Sequence, residues 1–434
     1  MEGVFLKIDR DQNSVRQLKW LQVACLIGLL SSFSLFAEGT SLRYFNQLQH
    51  AGLLVMNADQ SNRLYEKNAQ QAFIPASTTK LITALLALQH WGADYRFKTE
   101  FYLVQNNPQA PYLLVKGYGD PFLVSEELIF IARELAHALK QQGVTHLSGI
   151  QLDTQYYKGG VKFSGATQTD NPYDATASAL AANFNTLYIQ KVAKGFVSAE
   201  PQTPMTPTAH MLAEEIKGFK KSKSGLKKRV NLGQNERVAE RYFAELLMAF
   251  LKQEGVSIAQ NIHWKPLSKE ASLLYEHRNH RALSEIIRPM MKYSTNFIAN
   301  QLALNLSREI SGQPASAKTV ETVYQQRLTE LFGWQTFKVK EGAGLSRENQ
   351  LSPEQLIDVL NAFQPWRELL PEIEPNVYAK SGTLHGVSTL AGYLYDENNH
   401  PKNGYPFAIM INQKVPPNYR NKLARSLLRD LGMR

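Results

Sequence analysis

Ser77-Thr78-Thr79-Lys80 sets a hydroxyl and an amine three residues apart. On a helix, i and i+3 share a face, so the two groups meet. A serine becomes a nucleophile only when a base lies beside it. Lys80 can be that base only when neutral, which requires burial or a second cation to lower its pKa. The spacing alone is common by chance. Ser224 and Lys227 repeat it in a basic run with no apolar helix behind it. Two further motifs complete the chemistry. Ser294-Thr295-Asn296 offers a second hydroxyl and a carboxamide, and Lys380-Ser381-Gly382-Thr383 offers a second cation, two hydroxyls and a glycine that lets a substrate backbone lie against the chain.

The elements that must position these groups are legible at both ends of the chain. Residues 51–57, AGLLVMN, form a strand, and 63–66 its return after a polar turn. Pro75 suits a helix start, and Leu81, Ile82, Ala84, Leu85, Leu86, Ala87 and Leu88 follow it. A helix apolar on every face is buried in the centre of a domain. Ser294–Asn296 falls on a helix or at a helix edge. Residues 377–384, 389–395 and 405–412 predict three strands. Leu423, Leu427, Leu428 and Leu431 then share one face of a closing helix. Both chain ends therefore build one α+β domain. The division expected is a catalytic domain from 38–96 plus 286–434, with an inserted accessory region at 97–285 of one or two smaller domains. Within the insert, 101–104 and 112–115 predict strands, and 126–142 and 237–254 helices.

The three motifs, in this order on buried helix, helix edge and strand, match a known set. The chain resembles the low-molecular-mass class C penicillin-binding proteins, the D-alanyl-D-alanine carboxypeptidase/endopeptidases. Gly119-Asp120-Pro121, Gly143-Val144, Gly149 to Asp153-Thr154, Glu341-Gly342-Ala343-Gly344-Leu345-Ser346-Arg347 and the 380–392 segment KSGTLHGVSTLAG extend the resemblance. Thr295 stands where the family commonly has Asp, and Ser381 where it usually has Thr. The resemblance implies an α+β, serine β-lactamase/transpeptidase-like fold with an antiparallel sheet flanked by helices. It implies a serine acyl-transfer mechanism on peptidoglycan stem peptides, with β-lactam antibiotics as covalent inhibitors. Ser77 would be the nucleophile and Lys80 its base. Ser294 would relay a proton to the leaving amine, polarised by Lys380, and Asn296 would hold substrate and Lys80. The backbone N–H groups of Ser77 and Thr383 would form the oxyanion hole. Ser381, Gly382 and Thr383 would bind substrate, and Asp153 matches the family's residue for the stem peptide's diamino acid. No cofactor or metal is implied. A β-lactamase and a catalytically silent cell-wall scaffold are the alternatives. Against the first, the 217-residue gap from Ser77 to Ser294 is several-fold longer than in compact β-lactamases.

Composition bounds the rest. The 434-residue chain is 44% hydrophobic, which excludes a disordered protein, and its length predicts two or three domains. Residues 20–37 form an uncharged apolar run behind Arg16 and Lys19, a secretory signal with cleavage after Ala37, or else an uncleaved anchor. The localisation expected is the periplasm. Cys25, in that run, is the single cysteine, so the exported chain has no disulfide or thiolate metal site. His277 and His280, the closest histidine pair, read as solvated surface. Seven basic residues and no acidic one lie in 217–229, and they carry most of the +10 net charge. A solvated loop is the plain reading of that run. A tether to an anionic membrane or wall surface is the sharper one. Nucleic acid is not an expected partner.

Overall fold

A computed structural model describes residues 40–105, 111–395 and 404–431. The expected signal segment 1–37, with its expected cleavage site and Cys25, lies outside them.

A six-stranded antiparallel sheet runs in the order Glu372–Glu374, Val377–Leu384, Val387–Leu394, Tyr405–Ile411, Ala51–Met56, Arg63–Lys67. The two chain ends meet inside it, between its fourth and fifth strands, with Ala51 opposite Ile411 and Val55 opposite Phe407. Successive side chains of a strand point to opposite faces. Leu53, Val55, Phe407 and Ile409 therefore pack on Phe45 of the Thr40–Gln47 helix and on Leu423 and Leu427 of the Tyr419–Asp430 helix. Leu54, Ala408 and Met410 face the other way, into a layer that holds the Lys80–Trp91, Asn296–Ser311 and Pro353–Phe363 helices. Every residue from Lys80 to Leu88 is buried, as an all-round apolar helix requires.

The middle of the chain makes a second core. Its five-stranded sheet runs Ile262–Trp264, Ile150–Asp153, Tyr112–Gly117, Lys98–Val104, Ala271–Arg278. Two of its pairings are parallel, Tyr112–Gly117 with Ile150–Asp153 and Ile150–Asp153 with Ile262–Trp264. A parallel pair needs a long crossover, and the Ser125–Gln141 helix supplies the first. A three-stranded sheet, Phe196–Ser198, Thr186–Lys191, Lys227–Asn231, shares this core through Leu187, Ile189 and Val230. One apolar cluster thus holds both sheets. Between the two cores, Tyr157, Ala177 and Ala179 pack into the helical layer of the first body instead. Tyr157 donates to Asn305 Oδ1 at 2.6 Å, and Gln301 Nε2 to Ser178 O at 2.9 Å.

Two expectations are corrected here. His277 is 1% exposed, not a surface group, because its Nε2 lies 2.7 Å from Glu127 Oε1 in the first turn of the Ser125–Gln141 helix. The 217–229 run is not a plain loop. Phe219 is buried and stacks on Phe196, and the run ends in the Lys227–Asn231 strand. Lys220, Lys228 and Arg229 pair with Glu214, Asp170 and Glu200.

Candidate active site

Ser77 lies in a short 3-10 turn, Ala76–Thr79, that runs directly into the Lys80–Trp91 helix. Thr78, Thr79 and Lys80 are fully buried, and Ser77 alone of the four keeps some exposure. Ala76 holds φ of +47°, a strained conformation for a residue with a Cβ. Close neighbours hold it there. A Cβ on Gly344 would fall 1.9 Å from Ala76 O, so only glycine fits that approach. Gly382 does the same from the sheet. A Cβ there would lie 2.8 Å from both Pro75 O and Ser77 N, and 2.3 Å from Thr389 Oγ1. The bare backbone at Gly382 thus admits the nucleophile's own turn. Thr389 Oγ1 donates to Pro75 O at 2.7 Å and fastens the turn to the Val387–Leu394 strand.

The Lys80 amine has three neighbours: Ala343 O at 2.6 Å, Asn296 Oδ1 at 2.8 Å and Ser77 Oγ at 3.1 Å. A neutral amine carries two N–H bonds and one lone pair. The carbonyl and the carboxamide oxygen accept the two hydrogens, which leaves the lone pair aimed at the serine hydroxyl. The electrostatics favour that neutral form. Burial first, then the charge of Lys380, push the Lys80 pKa well below its ordinary value, against an opposing pull from Glu341.

Lys380 is 1% exposed, and its Nζ donates to Ser294 Oγ at 2.9 Å and Ser381 O at 2.7 Å. Burial and then the Arg420 guanidinium push its amine down to about 7. Ser294 sits at φ of +56°, in the left-handed kink between the Leu283–Tyr293 and Asn296–Ser311 helices. That kink turns its hydroxyl to Lys380, while Asn296, one turn-start later, faces Lys80. Asn296 Nδ2 donates to Tyr173 O at 3.1 Å. The inserted region therefore already engages the carboxamide expected to hold substrate.

Two residues complete the site without having been singled out. Glu341 is fully buried. Its carboxylate accepts from the backbone N–H of Ala343, Gly344 and Leu345, each at 2.8 Å, from Ser346 N at 3.3 Å and from Asn349 Nδ2 at 3.0 Å. A loop curled around one carboxylate in this way fixes its carbonyls as firmly as its amides. Gly342 O accepts from Thr83 Oγ1, and Ala343 O from Lys80. The second is Arg420, at the start of the Tyr419–Asp430 helix. It donates to Gly382 O and, at 2.7 Å, to Thr383 Oγ1. The glutamate had a motif signal. Arg420 had none beyond its place on the closing helix.

Asp153 is not brought to this site. Its carboxylate accepts from Gln155 N and Leu267 N, as an aspartate at a strand end does. It lines a separate cavity with Arg308 and Pro314, at the far end of the helix that begins with Asn296. Twelve residues at 1.5 Å per residue separate Asn296 from Arg308, about 18 Å. Beside Ser294, Thr295 and Asn296 a different cavity of about 710 Å³ opens, walled by Tyr173, Phe184, Arg229 and Arg281 of the inserted region.

The chain is similar to known proteins in sequence and in fold. The chain is 24% identical to the D-alanyl-D-alanine carboxypeptidase DacB of Haemophilus influenzae over 412 positions, covering 80% of this chain and 82% of that protein. It is 26% identical to a D-alanyl-D-alanine carboxypeptidase of Actinomadura sp. (strain R39) over 411 positions, covering 79% and 75%. Its fold is similar to the crystal structure of penicillin binding protein 4 from Haemophilus influenzae, with a TM-score of 0.71 at 20% identity over 91% of this chain and all of that one. The predatory peptidoglycan endopeptidase Bd3459 of Bdellovibrio bacteriovorus shares the fold more distantly, with a TM-score of 0.51 at 14% identity over 88% and 92%. The sequence model of the D-Ala-D-Ala carboxypeptidase 3 (S13) family matches residues 45–371, which takes in Ser77, Lys80, Ser294 and Asn296 and stops short of Lys380. With three quarters of its length inside that match, the chain belongs to the D-Ala-D-Ala carboxypeptidase 3 (S13) family.

Proposed function

We propose that the chain is an exported serine D-Ala-D-Ala carboxypeptidase that works in the periplasm on peptidoglycan stem peptides through an acyl-enzyme on Ser77. The observation that carries this is the Lys80 amine, with both hydrogens accepted and its lone pair directed at Ser77 Oγ. Lys80 takes the hydroxyl proton as Oγ bonds to the carbonyl carbon of the penultimate D-alanine. The backbone N–H groups of Ser77 and Thr383 receive the oxyanion, each such donor being worth roughly 3 kcal/mol. The C–N bond breaks, and Ser294, bonded to Lys380, passes a proton to the leaving amine. Arg420, Ser381 and Thr383 bind the terminal carboxylate, and water then releases the acyl group. The catalytic domain comprises 38–96 plus 286–434, from both ends of the chain, with 97–285 as its accessory region.

Two observations refine the substrate and the inhibitor. The cavity beside Ser294, Thr295 and Asn296 has room for more than one D-alanine, which supports cleavage of D-amino cross-links as well. Glu341, the acidic group nearest Lys80 in its electrostatics, has its carboxylate filled by five donors. Held by those donors, it is not placed to act as a water-activating base, which supports slow release of a penicilloyl group from Ser77. Fluorescent penicillin is expected to label the protein at Ser77 for many minutes. Rapid turnover of the drug would identify a β-lactamase, and labelling that persists in Ser77→Ala would overturn the assignment. The four basic residues of 217–229 outside the ion pairs noted above support a grip on an anionic membrane or wall surface. Salt-sensitive pelleting with sacculi or anionic liposomes is expected, and pelleting that survives neutralisation of Lys217, Lys221, Lys223 and Lys227 would discard it.

A further inference from the structure

Away from the serine, three metal-binding side chains converge in the inserted region. Glu127 belongs to the first turn of the Ser125–Gln141 helix, His277 to the end of the Ala271–Arg278 strand, and His280 to the turn that follows. His277 Nε2 lies 2.7 Å and His280 Nδ1 2.8 Å from the same oxygen, Glu127 Oε1. One ligand atom from each residue falls within 4.8 Å of the other two. We propose that Glu127, His277 and His280 form a site for a divalent transition ion of the zinc type, with solvent as the fourth ligand.

The donor set suits such an ion. Two imidazole nitrogens and one carboxylate oxygen are zinc ligands, whereas calcium and magnesium take oxygens. Metal–ligand bonds of about 2.0–2.1 Å in a tetrahedron set ligand atoms about 3.3 Å apart. The carboxylate oxygen therefore needs to retreat by only about half an ångström as the ion replaces the shared protons.

The surroundings already hold the ligands in place, as groups around metal sites do. Tyr275 Oη lies 3.3 Å from His277 Nδ1, the nitrogen that does not face the glutamate. His280 N donates to Glu127 Oε1 at 2.8 Å and orients the carboxylate. Between the two histidines, Asn279 is fully buried and donates to both carboxylate oxygens of Asp120, which pins the turn. The Phe130 ring meets the His280 ring edge-on at 4.4 Å. Glu127 and His277 are buried, while the His280 side chain is 52% exposed, so the ion has an entry path and a wet fourth position.

Occupancy would reach the catalytic cleft through the chain itself. Glu126 and Arg281, each adjacent in sequence to a ligand, line the cavity beside Ser294. An ion would tie those two walls together.

The test is calorimetric titration of the tag-free, chelator-stripped exported chain with zinc chloride. One ion per chain is expected. His280→Ala, which alters an exposed side chain, should weaken binding by more than the roughly 10- to 100-fold that follows loss of a supporting hydrogen bond. Glu127→Gln should weaken it similarly. Cobalt in place of zinc should show the intense visible bands of a four-coordinate ion, and His280→Ala should abolish them. No binding to the wild-type chain overturns the proposal. So does binding of equal strength in His280→Ala and Glu127→Gln, which would reveal an adventitious ion only. An unchanged metal-free melting temperature in His280→Ala separates loss of the site from loss of the fold.

Discussion

Lys80 and Lys380 occupy one cleft, and both are almost wholly buried. Burial lowers both amines, yet their neighbours set them to different tasks. The hydrogen-bond partners of Lys80 are three oxygens, two of which take its hydrogens and a third of which is the nucleophile. Around Lys380 lie a hydroxyl, its neighbour's carbonyl and, beyond Thr383, a guanidinium. The first arrangement aims a lone pair. The second keeps a titratable charge next to a relay serine and a carboxylate pocket. A buried lysine's role is thus read from what accepts its protons, since burial alone does not distinguish the two.

The largest test of that contrast is Lys80→Met, which fills the space and removes the base. Acylation by fluorescent penicillin is expected to fall by roughly 10³-fold, within the range for loss of a general base. A fall of less than tenfold would mean that Lys380 can replace it. Glu341→Gln comes next. The new amide sets a donor against the donors of the 343–346 loop and should cost about 2 kcal/mol of stability in chemical unfolding. It also loosens Ala343 O, so acylation should slow in parallel. Loss of stability with an unchanged acylation rate would detach the loop from Lys80. The smallest effect is expected from Arg420→Gln. KM for a D-Ala-D-Ala peptide should rise about tenfold, the loss of one charged contact. The pH profile carries the sharper reading. A nearby cation disfavours protonated Lys380, so removing Arg420 raises its pKa from about 7. If the charged form of Lys380 is the active one, the alkaline limb of kcat/KM moves upward. An unmoved limb would show that Arg420 touches substrate without tuning the lysine.

What could be read from the sequence follows the range of each interaction. Ser77 and Lys80 announce themselves because the helix repeat puts them on one face, and an all-apolar stretch behind them can only be buried. The meander of 377–411 is legible for the same local reason. The left-handed kink at Ser294, the carboxylate hub at Glu341 and the reach of Arg420 to Thr383 are not local. Each depends on two segments meeting in space. Asp153 enters through the resemblance, and what the sequence does not show is that Gln155 N and the distant Leu267 N both donate to its carboxylate. His277 reads as surface because the residues around it in sequence are polar, and it is buried because Glu127, 150 positions earlier, draws it inward.

The seam between the first and last strands has a consequence for how the molecule is made. Ala51–Met56 pairs early with Arg63–Lys67 but gains its second neighbour only when Tyr405–Ile411 has been synthesised, and the turn of Ser77 rests on Gly382. A nascent chain can therefore carry the nucleophile for most of its synthesis without any reactivity. Closure of so long a loop is slow, and it comes after the accessory region has had time to complete its own core. Hydrolytic power switches on at the very end of assembly, when the closing helix lays Arg420 over the strand.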